Sequence, residues 1–138
     1  MKTIFLTSLI GLITILHSCK ETDEIKVAEI SNVWRLEEVY VNGQLQNAKQ
    51  MPVTHLGIQE DNKYFRNYVT GTWSMSGDWI EFIPTEDFEL STSRHQILEH
   101  SGDILILESL LTEKEYLWDF ENIAEDEVIT IREKFVKN

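Results

Sequence analysis

The chain has 138 residues, with 24 acidic against 12 basic side chains and a formal net charge of −12. A balance this acidic lacks the basic face that a phosphate backbone requires, which excludes nucleic acid as a partner. Six glycines and two prolines are too few for a collagen-like or low-complexity chain, and a single cysteine leaves neither a disulfide framework nor a cysteine-ligated metal site.

Lys2 precedes an uncharged apolar run from Ile4 to Leu16. This has the form of a secretory signal and is too short to span a bilayer. It ends in Leu16-His17-Ser18-Cys19, which resembles a lipobox, the site where a cysteine is acylated before cleavage. Leucine at the first position and a small serine before the cysteine fit that pattern, and His17 departs from it. The expected organisation is a cleaved signal peptide over 1–18, a lipidated tether over 19–29 and one domain over 30–138. Cleavage removes only one charged side chain, Lys2, so the net charge becomes −13. Lys20 stands where an aspartate would resemble an inner-membrane retention signal, and Lys20-Glu21-Thr22-Asp23-Glu24 resembles the export signal of surface-exposed Gram-negative lipoproteins. The expectation is an outer-membrane lipoprotein facing the cell exterior, with the periplasmic face as the alternative. Acyl chains on Cys19 would hold the membrane, because the acidic surface repels anionic headgroups.

Residues 20–32 read as a polar lead-in with one helical turn around Glu24–Glu29. From Val33 onward, short β-branched and aromatic runs alternate with turn signals. The predicted strands are Val33–Val41, Thr54–Gln59, Lys63–Val69, Thr72–Ser76, Trp79–Ile83, Arg94–Ser101, Ile104–Leu110, Glu115–Glu121 and Glu127–Phe135. Turn signals between them include Asn42-Gly43, Thr70-Gly71, Gly77-Asp78 and Gly102-Asp103. Short strands with no long helix predict an all-β meander.

Two hairpins can be read in detail. Ser76-Gly77-Asp78-Trp79 predicts a two-residue type II′ turn, because glycine supplies the positive φ that this turn needs. That register sets Met75 opposite Ile80 and Trp73 opposite Phe82 on a core face, with Ser74 and Glu81 on the wet one. The same turn in Ser101-Gly102-Asp103-Ile104 would pair His100 with Leu105 and Leu98 with Leu107. Both faces of this second hairpin are half apolar, so its inside stays unassigned.

Asn32-Val33-Trp34-Arg35-Leu36, Thr70-Gly71-Thr72-Trp73, Gly77-Asp78-Trp79-Ile80-Glu81-Phe82 and Gly102-Asp103-Ile104-Leu105-Ile106-Leu107 follow one another in an order that resembles the lipocalin-like domains of small envelope lipoproteins. Asn32 stands where lipocalins usually carry a glycine. The resemblance implies an antiparallel up-and-down barrel of about 8–10 strands, which removes exposed edges and can enclose a pocket. It also implies a late arginine stacked on the first-strand tryptophan, so that Arg132 would meet Trp34 where the barrel closes.

The chemistry of the residues points away from catalysis. His95 and His100, five apart, would face opposite sides of one straight strand and could not chelate one ion together. There is no zinc-binding helix motif, acidic calcium loop or serine nucleophile elbow, so the expectation is a non-enzyme without metal or cofactor. The aromatic residues are the better lead. Trp34, Tyr64, Trp73, Phe82 and Trp118, with Met75 beside them, would either line a pocket for a small hydrophobic ligand or simply fill the interior. Tyr116, Trp118 and Phe120 alternate on one face of a predicted strand. Two functions follow: a membrane-anchored ligand binder, or a protein–protein module of the cell envelope with a filled barrel and an acidic outer face.

Overall fold

The computed structural model describes residues 25, 27–47, 50–85, 90–116 and 118–138, so the predicted signal peptide and Cys19 lie outside the described residues. β1 (Val33–Val41) turns into the short β2 (Gln44–Leu45), followed by β3 (His55–Ile58), β4 (Lys63–Arg66), β5 (Val69–Ser76), β6 (Trp79–Pro84), β7 (Ser93–His100), β8 (Ile104–Leu111) and β9 (Ile129–Lys137). Single helical turns lie before β1 (α1, Val27–Ile30) and between β8 and β9 (α2, Glu113–Tyr116). No helix among the described residues is long and apolar enough to cross a membrane.

The predicted all-β architecture is what forms. From β3 to β9 each strand pairs antiparallel with the next, while β1 carries β3 and β2 along one edge and β9 along the other. Eight strands therefore close into an up-and-down barrel, with β2 as an added strand. Closure satisfies the backbone groups that an open sheet would leave at its edges.

Alternation decides what faces inward. In β5, Val69, Gly71 and Trp73 are buried, whereas Thr70, Thr72 and Ser74 are exposed. The β5–β6 hairpin has the predicted register, with Trp73 opposite Phe82 and Met75 opposite Ile80, and Gly77 takes φ +61° in its turn.

Several expectations give way to local geometry. The turn placed at Thr70-Gly71 lies instead at Asn67-Tyr68, between Arg66 and its partner Val69. Asn67 adopts φ +53°, and its side-chain oxygen accepts the His55 N–H at 2.9 Å. Asparagine tolerates this left-handed conformation better than most residues. Gly71 belongs to β5, where its bare Cα admits close approach: a Cβ there would lie 2.1 Å from the Ile83 carbonyl oxygen and 2.7 Å from the Tyr64 ring. Asn42 (φ +49°) and Gly43 (φ +80°) make the left-handed turn into β2, a strand not anticipated from the sequence.

A register shift at Leu98 replaces the expected Leu98–Leu107 pair with Ile97 opposite Leu107, while His100 still faces Leu105. The extra residue turns Leu98 outward, at 42% exposure, and buries Ile97. It also puts His95 and His100 on the same face of β7, not on opposite faces.

The predicted strand Glu115–Glu121 is instead α2 followed by irregular chain. Thr112 and Glu115 form a capping box: Glu115 Oε2 accepts the Thr112 N–H at 2.8 Å, and Thr112 Oγ1 accepts the Glu115 N–H at 3.3 Å.

Barrel closure between first and last strands holds, but not through Trp34 and Arg132. Trp34 is opposite Lys137, whereas Arg132 is opposite Tyr40, six residues further along β1, or roughly 20 Å at strand rise. Arg132 also points outward and bonds Glu108 on β8 at 2.8 Å. Trp34 is fully buried, and its indole N–H donates to the Ile30 carbonyl at 2.8 Å. That bond fastens α1 across one end of the barrel, with Ile30 completely buried beneath it.

Candidate functional site

The interior is filled unequally. Toward the end covered by α1, Trp34, Leu56, Trp73, Ile80, Leu105 and Phe135 pack into one apolar cluster. Toward the other end, where the β4–β5, β6–β7 and β8–β9 connections lie, an open cavity of about 300 Å³ remains. This falls at the lower limit of small-molecule sites.

Three of the six residues expected to meet a ligand line this cavity: Tyr64, Phe82 and Trp118. Trp34, Trp73 and Met75 belong to the packed half. Both buried tryptophans there have their N–H groups satisfied by backbone, Trp73 through the Gln59 carbonyl at 2.9 Å. Tyr64 and Phe82 belong to the same buried cluster and present one side of it to the cavity. Trp118 reaches the mouth from the chain after α2, and Met51 and Leu90 contribute apolar surface from two further connections.

The polar part of the site was not anticipated. Arg66 and Leu56 are opposite one another on β4 and β3, and that register turns Arg66 inward. Its guanidinium crosses the barrel to β9, which is not a hydrogen-bonding neighbour of β4. There Nη1 donates to Glu133 Oε2 at 3.0 Å and Nη2 to Glu133 Oε1 at 2.5 Å. The Tyr116 hydroxyl donates to the same Oε1 at 2.8 Å, and the Arg66 guanidinium carbon lies 5.3 Å from the Tyr116 ring centre. Tyr116 also stacks on Phe120, 5.7 Å between centres. Arg66 and Tyr116 line the cavity.

Glu133 is only 1% exposed, and burial alone would favour its neutral form. The attraction and hydrogen bonds of Arg66, helped by Tyr116, outweigh that and hold the carboxyl below the usual glutamate value. Burial likewise works against the Arg66 charge, and Glu133 more than restores it. The pair is thus ionised and mutually neutralised, with Glu133 buried and Arg66 partly open to the cavity. Burial pushes the Tyr116 hydroxyl far above the ordinary tyrosine value, so it stays a donor.

His95 completes the wall. It is 3% exposed, and its ring meets the Phe82 edge at 5.4 Å. Burial pushes its pKa down to about 4, with the nearby Glu133 and Arg66 charges acting in opposite directions. The imidazole is therefore neutral at physiological pH. Its Nε2 shares a hydrogen bond with Ser93 Oγ at 3.0 Å, while its Nδ1 has no partner. The other buried side-chain atom without a partner among the described residues is Ser109 Oγ.

No family model, curated protein or solved structure matches this chain.

The cavity combines an aromatic wall of Tyr64 and Phe82, 4.8 Å between ring centres, with a polar region made by Arg66, Tyr116 and His95. Such a site can desolvate an apolar body and orient one polar group. No cluster of three or more His, Cys, Asp or Glu suited to a metal ion occurs among the described residues. The missed residues carried little sequence signal. Arg66 and Glu133 are 67 positions apart, and Glu133 is one of 24 acidic residues.

Proposed function

We propose that this protein is a membrane-anchored, lipocalin-like binding protein that takes a small, mainly apolar ligand into the open end of its barrel without chemically altering it. The observation that carries this reading is the cavity itself. A barrel of this size can fill its interior with side chains, yet here a space bordered by aromatic side chains stays open at one end, beside a second apolar cluster of Val39, Val41, Leu111, Phe120, Ile129 and Ile131. A module that used only its outer surface would have no need of that space, so the cavity weighs toward a ligand over the protein–protein alternative.

Anchoring through Cys19 rests on the lipobox resemblance. Five residues separate Cys19 from Ile25, which packs against the core at the α1 end. Such a linker spans at most roughly 20 Å. A lipid on Cys19 would therefore keep the α1 end near the outer membrane and direct the cavity mouth away from it, which suits capture from the surrounding medium.

The test is a screen of fatty acids, alcohols, sterols and hydrophobic dyes against the purified protein. Tryptophan fluorescence and melting temperature would be the readouts. A ligand should change the emission of Trp118 and raise the melting temperature by mass action. A complete screen with neither response would remove the ligand reading and leave the interaction module in its place.

A further inference from the structure

We infer that the ligand carries a carboxylate on its apolar body, and that this carboxylate binds the N–H groups of Arg66 that Glu133 leaves free. The inference rests on the ligand-binding reading of the same cavity and specifies the class of molecule.

The first ground is which half of the ion pair the cavity meets. The Arg66 side chain lines the cavity and is 29% exposed, whereas Glu133 is 1% exposed and forms no part of the cavity wall. The pair is neutral as a whole, yet it turns its cation to the cavity and withdraws its anion. A guanidinium has five N–H donors and no acceptor, and the bonds to Glu133 use two of them. The remaining donors can be met only by an acceptor. Tyr64, two residues back on β4, turns to the same face of the strand and lines the same cavity. Its hydroxyl bonds to no described residue, and Arg66 is close enough to oppose the effect of burial on its ionisation. A cation with spare donors therefore stands beside an uncommitted hydroxyl.

The second ground is the charge around that receptor. Among the described residues, Glu115 is the one carboxylate in the cavity wall, and it is exposed, with one oxygen already accepting two bonds from Thr112. His95 is neutral, and Tyr116 keeps its proton. Only Glu113 and Glu133 are buried among the described acidic residues, so solvent and salt screen the others. An ammonium head would meet a like charge and find no acceptor on Arg66. An alcohol would accept from Arg66 without carrying the opposite charge, which makes a weaker bond. A carboxylate matches the planar fork of a guanidinium. A phosphate brings more charge and bulk into a cavity already at the lower limit of ligand sites.

Four probes with the same eight-carbon skeleton test this directly on the unmodified full-length chain: octanoate, 1-octanol, octylammonium and octyl phosphate, titrated at pH 7. Octanoate should bind about tenfold more tightly than octylammonium and more tightly than 1-octanol. A merely apolar cavity would rank 1-octanol first. Glu133→Gln, outside the cavity wall, frees Arg66 from its buried carboxylate, so octanoate binding should tighten severalfold while 1-octanol binding stays the same. In Arg66→Met combined with Glu133→Leu, shown to be folded by its melting transition, octanoate should lose its advantage. 1-Octanol or octylammonium binding as tightly as octanoate would overturn the head-group assignment while leaving the ligand reading intact. Tighter binding of octyl phosphate would overturn the carboxylate. Octanoate affinity unchanged in Glu133→Gln, or its advantage kept in the double variant, would remove Arg66 as the contact. Failure of all four to bind, when a larger apolar probe does bind, would overturn the assignment alone. Failure of every apolar probe would overturn both readings.

Discussion

Arg66 and Glu133 meet inside the barrel across 67 residues of sequence, in a two-pronged ion pair that ties β4 to β9 through the lumen. The Glu133 side chain is 1% exposed and that of Arg66 29%, so the carboxylate is fully desolvated and the guanidinium partly, whereas the surface pair of Arg132 with Glu108 is 50% and 26% exposed. Removing Arg66 leaves an unmatched buried carboxylate, while removing Glu133 leaves a partly exposed guanidinium. Arg66→Met should lower stability by about 3–5 kcal/mol and Glu133→Gln by less, because water reaches the guanidinium it strands, whereas the double apolar replacement should recover much of the loss. Arg132→Ala at the surface should change stability by less than about 1 kcal/mol. Urea unfolding of the four variants measures all of this, and near-equality of the buried and surface variants would contradict the description of the lumen.

His95 gives the stability a defined pH dependence. Its folded pKa is depressed to about 4 by burial, with Glu133 and Arg66 as the nearest opposing charges. A depressed pKa means that the unfolded chain takes up the proton first. The stabilisation is complete above the unfolded value near 6.5 and is lost as pH falls to about 4. Across that window the loss should be about 3 kcal/mol. Thermal unfolding from pH 7.5 to 4 should show this slope in the native protein and a flatter curve in His95→Leu. Equal slopes would place the titrating group elsewhere.

Two glycines separate side-chain from backbone crowding. A Cβ on Gly57 would meet the Phe65 ring at 2.0 Å, and that ring can rotate away. A Cβ on Gly71 would meet the Ile83 backbone oxygen at 2.1 Å, and relief there requires moving a strand. Overpacking of this kind costs about 1–3 kcal/mol, so Gly71→Ala should fall at or above the upper end and Gly57→Ala near the lower. Denaturation midpoints of the two variants would give the order, and the reverse order would be inconsistent with the strand spacing at Gly71.

Acylation at Cys19 predicts that Cys19→Ala remains an unprocessed precursor. Mass spectrometry of the membrane fraction reads both the acyl chain and the cleavage site. Normal cleavage of the variant, with no acyl chain on the native protein, would remove the anchor.

How far the sequence could be read depended on whether one local rule dominated. In the β5–β6 hairpin, loop length and alternation agree, so Trp73 opposite Phe82 was foreseeable. In β7–β8 both faces are half apolar, and a bulge at Leu98 leaves no mark in such a pattern. Residues 112–121 held two conflicting signals, the Thr112–Glu115 capping box and the Tyr116-Trp118-Phe120 alternation, and the box prevailed. Gly71 looked like a turn residue because close strand approach and turns both select glycine. The aromatic part of the site was half legible: Tyr64, Phe82 and Trp118 are in the cavity wall, and Trp34, Trp73 and Met75 are core. Its polar part was not, since a pairing of Arg66 with Glu133 follows only from barrel closure.

The four tryptophans offer the most direct test of a ligand in the open end. Their indole N–H groups give separate nitrogen–proton resonances, and the fold assigns each a different place. Trp118 lines the cavity, Trp34 and Trp73 are bonded to backbone in the packed half, and Trp79 lies outside under Arg94 at 4.6 Å. Titration with a bound apolar probe should move the Trp118 signal strongly and leave Trp79 unchanged, with small effects at Trp34 and Trp73. Movement of Trp79 with Trp118 unchanged, or no movement of any indole across the full set of probes, would contradict binding in the cavity.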